Sequence, residues 1–107
     1  MVKLYEIYDA ESFLEDYDKL SKQEKIRIDK IKEQLRLNPY VGKPLGYKFF
    51  REKRFDGKRL IHLIYENSVI VLVVAYSDKK TQQATIDTIK RAFEIYRREV
   101  YDKFVKK

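Results

Sequence analysis

The sequence predicts an α+β fold with the element order β-α-α-β-β-β-α, and two observations predict it. Between residues 10 and 35, apolar side chains recur every three or four positions, which is the helical period. Between residues 47 and 76, β-branched and aromatic residues predominate, and these favour strands. Because helices that are apolar on one side need a flat partner, we expect an antiparallel sheet with an N-terminal helical hairpin on one face.

Local signals indicate the first strand and the two helices after it. Val2–Tyr8 mixes charged residues with Leu, Ile and Tyr, which is typical of a strand. A first helix follows, and Ser21-Lys22-Gln23-Glu24 is a capping box that begins the second. The second helix should end near Asn38, because the residue before Pro39 is disfavoured in the helical conformation. The apolar stripes of the two helices are Ala10, Phe13, Leu14, Tyr17 and Leu20, then Ile28, Ile31 and Leu35.

Three strands and a helix complete the predicted order. The strands are Tyr47–Arg51, Lys58–Glu66 and Val69–Tyr76, the last two joined by a tight turn. Val69–Tyr76 is apolar on both faces, so we expect it in the middle of the sheet. A C-terminal helix from about Thr81 carries an apolar stripe. Its members are Ile86, Ile89, Phe93, Tyr96, Val100 and Phe104.

Length and composition predict one globular domain over residues 1–107. The absence of cysteine excludes disulfides, thiolate nucleophiles and thiolate zinc sites, and it fits a cytoplasmic protein. The longest apolar run is Val69–Tyr76, which suits a strand rather than a membrane helix. We therefore expect neither a signal peptide nor a membrane partner.

The charge of the chain points to a polyanionic partner. The formal net charge is +7, and the pI is near 9.5. Residues 39–59 carry seven basic and two acidic residues and residues 79–107 carry nine and four, whereas residues 1–38 carry eight and nine. A richly charged solvated surface is the alternative, and it explains the abundance of charge better than its segregation.

Four segments together resemble the RelE/ParE superfamily of toxins, and the resemblance covers nearly the whole chain. They are Asn38-Pro39-Tyr40-Val41-Gly42-Lys43-Pro44-Leu45, Tyr47-Lys48, Gly57-Lys58-Arg59-Leu60-Ile61 and Asp78-Lys79-Lys80. The resemblance implies a RelE-like fold and a type II toxin–antitoxin module, with a RelB-like antitoxin as the cognate partner. It also implies, for the RelE branch, an mRNA interferase that enters the ribosome and cuts messenger RNA through the ribose 2′-hydroxyl, without a metal or another cofactor.

Two alternatives stay open beside this endoribonuclease. The ParE branch shares the fold but inhibits gyrase, so the fold does not decide the chemistry. A basic nucleic-acid-binding module without catalytic activity is the other.

Carried over by position, the resemblance implies site residues. The catalytic cations would be Lys48, Arg51, Arg59 and Lys80, and the RNA-binding residues would be Lys43, Lys53, Arg54, Lys58 and Lys79. Such cations offset the charge that develops on a phosphorane-like transition state, and repulsion between them would let one lysine act as a base. An apparent insertion at residues 52–56 blurs the register, and for Arg51, Lys53 and Arg54 a solvated edge strand is an equal alternative.

Two further residues bear on the chemistry. His62, the only histidine, lies in an apolar run, which favours a buried, hydrogen-bonded side chain over a general base. Ile86 occupies the position of a family tyrosine that stacks on the substrate. The nuclease hypothesis requires that Lys48, Arg59 and Lys80 converge on one pocket.

Overall fold

A computed structural model of the protein describes residues 3–106, in which one five-stranded sheet lies between two pairs of helices. The strands are β1 (Glu6–Asp9), β2 (Lys43–Tyr47), β3 (Phe50–Phe55), β4 (Lys58–Tyr65) and β5 (Ile70–Asp78). The helices are α1 (Glu11–Asp18), α2 (Lys22–Leu37), α3 (Gln82–Arg91) and α4 (Phe93–Val100). The predicted α+β class is confirmed; Val2, where the predicted first strand begins, lies outside the described residues.

The sheet has the strand order β1-β5-β4-β3-β2. Strands β2 to β5 form an antiparallel meander, whereas β1 pairs with β5 in parallel, with Glu6 opposite Ile70. The sheet is therefore mixed rather than wholly antiparallel. Helices α1 and α2 connect β1 to β2, which is the opposite edge strand of the sheet. The chain then reverses direction three times between β2 and β5, so β5 lies beside β1 and runs parallel to it. The prediction also missed one strand, because the predicted strand Tyr47–Arg51 spans the turn between β2 and β3.

The helical hairpin covers one face of the sheet, as predicted. The capping box is present: the Ser21 hydroxyl accepts a hydrogen bond from the Glu24 amide at 3.1 Å, and the Glu24 carboxylate accepts one from the Ser21 amide at 3.2 Å. Helix α2 ends at Leu37, ahead of Pro39. We call this side of the sheet the α2 face. Its core contains Phe13, Ile28, Leu35, Leu60, Ile64, Val71 and Val73.

The C-terminal helices cover the opposite side, which we call the α3 face. The sequence predicted one long helix, but it is divided at Ala92, whose φ of −112° and ψ of 12° are not helical. The break lets both halves place apolar residues on the sheet. The core of this face contains Ile61, Leu63, Leu72, Ile86, Ile89 and Val100.

Within residues 3–106, none of the helices combines the length and the apolar character needed to cross a membrane.

Candidate functional site

A two-residue turn decides which cations share a face of the sheet. Asp56 and Gly57 both have positive φ, 48° and 77°, as a tight β-hairpin turn requires. The turn places Arg54 directly opposite Arg59 on the neighbouring strand. Residues directly opposite each other project to the same side of a sheet, so the two arginines are neighbours. They lie on the α3 face.

Arg59 is a buried cation with few partners. Its residue surface is 6% exposed, and its Nη1 donates to the Gly57 carbonyl at 3.0 Å. Its Nε has no hydrogen-bond partner, and none of the salt bridges within residues 3–106 includes it. Ser77, opposite Arg59 on β5, has a buried hydroxyl that also lacks a partner. Because a buried guanidinium stays charged and is costly without a counter-ion, this position favours the approach of an anion.

A buried carboxylate positions Arg54. The Glu52 side chain is fully buried on the α3 face and accepts hydrogen bonds from Gln82 Nε2 at 2.6 Å and from Arg54 Nε at 3.2 Å. The bond from Gln82 links the start of α3 to β3, and the bond from Arg54 fixes the position of the Arg54 guanidinium beside Glu52. Lys43 lies opposite Glu52 on the edge strand β2. Glu52 therefore has a structural role that leaves about half of the Arg54 side chain exposed.

The turn after β5 brings two more cations to this end of the sheet. The Asp78 carboxylate accepts hydrogen bonds from the Thr81 amide at 2.9 Å and from the Thr81 hydroxyl at 3.0 Å. These bonds hold the pKa of Asp78 below its ordinary value and shape the turn that exposes Lys79 and Lys80. We call the resulting group the arginine end of the α3 face. It comprises Lys43, Arg54, Arg59, Lys79 and Lys80.

The remaining predicted cations lie elsewhere. Lys48 is in the turn between β2 and β3, with its Nζ 5.2 Å from the centroid of the Tyr40 ring. Arg51 donates to the carbonyls of Tyr40 at 2.8 Å, Lys48 at 3.0 Å and Gly42 at 3.2 Å. Lys53 and Lys58 lie on the α2 face, as Arg51 does. Lys53 is directly opposite Leu60 and Lys58 is directly opposite Phe55, and both of these partners belong to the core of that face.

Lys48, Arg59 and Lys80 therefore do not converge. Phe50, beside the Lys48 turn, pairs with Leu63, and Leu63 lies four residue steps along β4 from Arg59, a distance of roughly 13 Å. Lys80 shares the Arg59 end of the sheet, and Lys48 does not. The expectation of one pocket formed by all three is corrected: Arg54, and not Lys48, lies beside Arg59.

One sequence signal would have identified the register. Asp-Gly is a strong hairpin signal, and counting outward from Asp56-Gly57 places Arg54 opposite Arg59. The same count places Glu52 on the α3 face and Lys53 on the other. Gln82 and Ser77 have no comparable signal, because their roles depend on contacts between distant parts of the chain.

His62 is confirmed as a buried, hydrogen-bonded residue. Its side chain is fully buried on the α2 face, and Nε2 lies 2.8 Å from the Pro39 carbonyl, to which it donates as the neutral imidazole. Burial lowers its pKa from 6.5 to about 4. Ile86, in turn, is buried in the core of the α3 face, where only 7% of its surface is exposed.

A groove also lies on the α2 face, and two of its charged groups, Arg27 and Glu24, are already paired. Its volume is about 490 Å³, and its lining includes Phe55, Lys58 and Tyr76. Arg27 Nη1 lies 3.1 Å from the Asp56 carboxylate, and the Tyr76 hydroxyl donates to Glu24. Among the described residues, the arginine end holds a buried cation with an unsatisfied donor, so we assign the candidate site there.

Comparison with known proteins identifies the fold. No family model and no curated protein sequence matches the chain. Among solved structures, it is similar to a doubly substituted form of the E. coli toxin RelE in the free state, with 18% identity over 82% of this chain and 97% of that one and a TM-score of 0.70. It is also similar to the intact E. coli RelBE toxin–antitoxin complex, with 19% identity, 69% and 95% coverage and a TM-score of 0.64.

A further similar structure is the RelBE2 toxin–antitoxin complex of Mycobacterium tuberculosis, with 19% identity, 74% and 95% coverage and a TM-score of 0.64. The chain therefore has a RelE-like toxin fold.

Proposed function

We propose that residues 1–107 form the toxin of a type II toxin–antitoxin module, a single domain that cuts messenger RNA on the ribosome. The observation that carries the proposal is the buried guanidinium of Arg59, which forms no salt bridge with any described residue and lies beside Arg54 at one end of a RelE-like sheet. A phosphate of an RNA chain would supply the missing anion. The exposed Lys79 and Lys80 extend the positive surface around it.

The proposed reaction is transphosphorylation within the RNA. The ribose 2′-oxygen loses its proton and attacks the adjacent phosphorus, the bond from phosphorus to the 5′-oxygen breaks, and that oxygen takes up a proton. Arg59 and Arg54 would stabilise the extra negative charge on the phosphorus centre, which is the term that usually contributes most. Lys80 is the candidate for proton transfer, because the only histidine is buried on the other face.

The partners follow from the same proposal. The E. coli and M. tuberculosis proteins of similar fold form complexes with antitoxins. We infer a cognate RelB-like antitoxin for this chain and a site of action in the cytoplasm, where translating ribosomes and messenger RNA are found.

A matched pair of substitutions tests the proposal. Arg54 and Lys53 are adjacent on β3 but project to opposite faces. Purified protein incubated with translating ribosomes should cut the message; Arg54→Ala should slow cleavage, and Lys53→Ala should leave it near the rate of the unsubstituted protein. Intact message over a wide range of doses of folded protein would contradict the proposal.

One observation favours a second candidate, a ParE-like gyrase inhibitor without nuclease activity. The position of the family tyrosine holds Ile86, which is buried, so the stacking residue of the cleaving toxins has no counterpart there. Inhibition of DNA supercoiling by this protein, with messenger RNA left intact, would establish this alternative.

A further inference from the structure

Aromatic rings are exposed at the end of the sheet opposite the arginine end. Tyr47 and Phe49 flank Lys48 in the turn between β2 and β3 and are 46% and 39% exposed. Their ring centroids lie 5.1 Å apart, and each lies within 5.4 Å of the Phe93 ring on α4. The hydrophobic effect alone would bury such rings, so their exposure as a cluster marks a binding surface.

A small cleft opens beside these rings. Its volume is about 150 Å³, below the roughly 300–1,000 Å³ of sites for drug-sized ligands, and it suits one flat aromatic group. We call it the aromatic cleft. It is lined by Phe49, Leu63, Tyr65, Phe93, Glu94 and Arg97.

The polar groups at the aromatic cleft suit a nucleobase. Phe49 and Phe93 are inclined at 64°, so a base can stack on one ring and meet the other edge-on. Tyr65, which lines the cleft, contributes a hydroxyl that makes no hydrogen bond within residues 3–106. The Arg97 guanidinium at the rim is held by Glu94, with Nε 3.0 Å from its carboxylate.

The aromatic cleft and the arginine end lie on the same face of the sheet. Leu63, in the cleft, alternates along β4 with Ile61 and Arg59, roughly 13 Å away. Two cations line the β2 flank of this face: Lys43 opposite Glu52, and Lys90, whose Nζ lies near Gly46. Aromatic platforms beside a basic track are the usual means of holding single-stranded nucleic acid.

We propose that the aromatic cleft binds one base of a single-stranded RNA whose backbone continues to the arginine end. The inference rests on the proposed function and adds a subsite to it. The flanking cations favour RNA over a protein segment, because Lys43 and Lys90 form no salt bridge within the described part of the chain.

Binding of a short RNA tests the cleft separately from cleavage. The probes are single-stranded oligoribonucleotides with methylated 2′-hydroxyls, which cannot be cut, and with the fluorescent base 2-aminopurine at one position. Stacking should quench the fluorescence at one position of the bound strand. Phe49→Leu should remove the quenching and weaken binding by about 5- to 100-fold, whereas Phe49→Trp should retain both.

The control is Ile95→Ala, since Ile95 on α4 is 68% exposed and does not line the cleft. Unquenched RNA with the unsubstituted protein, or equal binding by Phe49→Leu, would overturn the inference while leaving the dependence of cleavage on Arg54 intact. Phe49→Leu that binds RNA normally and loses affinity only for the antitoxin would also overturn it, assigning the cleft to a protein. If the proposed function were wrong, the unsubstituted protein would instead leave ribosome-bound messenger RNA uncut.

Discussion

Arg51 and Arg59 lie on adjacent strands of the same sheet, yet their surroundings differ. Arg51, on the α2 face, donates hydrogen bonds to three backbone carbonyls and lies with its Cζ 5.3 Å from the centroid of the Tyr40 ring. Arg59, on the α3 face, donates to one carbonyl and keeps a buried Nε without a partner. The difference indicates that a cation whose donors are used holds the fold, whereas one with donors to spare is available to a ligand.

His62 extends the comparison, because it is buried on the same strand as Arg59. Desolvation lowers the pKa of His62 to about 4, so the imidazole is neutral at pH 7. A guanidinium cannot respond in this way, since it does not lose its proton in proteins. His62 thus avoids a buried charge, although its buried Nδ1 has no partner within residues 3–106, whereas the buried charge of Arg59 remains without a counter-ion there.

The largest expected effect is the loss of activity on substituting Arg59. Arg59→Met should slow cleavage of ribosome-bound message by about 100- to 1,000-fold, the usual cost of removing one charge-stabilising donor. The free energy of unfolding should stay equal or rise, because a buried charge without a counter-ion is removed. Rates of message cleavage and urea unfolding curves measure the two quantities. If Arg59→Met lowered the free energy of unfolding enough to account for the lost cleavage, Arg59 would be a structural residue.

Acid should destabilise the protein through His62. Its pKa is depressed in the folded state, so its contribution to stability is present above pH 6.5 and is lost as the pH falls from 6.5 towards 4. The full loss is about 3 kcal/mol at or below pH 4. Urea unfolding at several pH values measures it. His62→Gln is the control, since its amide does not titrate; identical pH profiles of the two proteins would contradict the assignment.

Arg51→Met should show the reverse of Arg59→Met. It removes three hydrogen bonds to carbonyls of the segment between α2 and β3, and a stability loss of about 2 kcal/mol is expected. Cleavage per folded molecule should not change, because Arg51 lies on the α2 face. Unfolding curves and cleavage rates at equal concentrations of folded protein check both statements. If Arg51→Met instead slowed cleavage strongly while the free energy of unfolding stayed the same, Arg51 would belong to the active site.

The fold was more predictable than the site. The helical hairpin, its capping box and the interior strand β5, which lies between β1 and β4, were recognisable because each depends on periodicity or on neighbours a few residues away. The strand β2 was missed, since Pro44 and Gly46 interrupt it and its side chains are largely exposed. The predicted site set Arg51 and Lys53 beside Arg59 because basic residues in a strand look alike, and only the pairing register says which side of the sheet each one faces.

The smallest expected effect concerns Lys48, and it sharpens the contrast between the two faces. Lys48→Met removes a cation–π contact with Tyr40 and should cost about 0.5–1 kcal/mol. A double-mutant cycle with Tyr40→Leu, followed by urea unfolding, isolates that contact from the packing of the ring. Cleavage of message should be unchanged, since the Lys48 ammonium lies against Tyr40, which packs on the α2 face, and not on the α3 face with Arg59. A fall in cleavage comparable to that of Arg59→Met would instead show that the RNA contacts both faces.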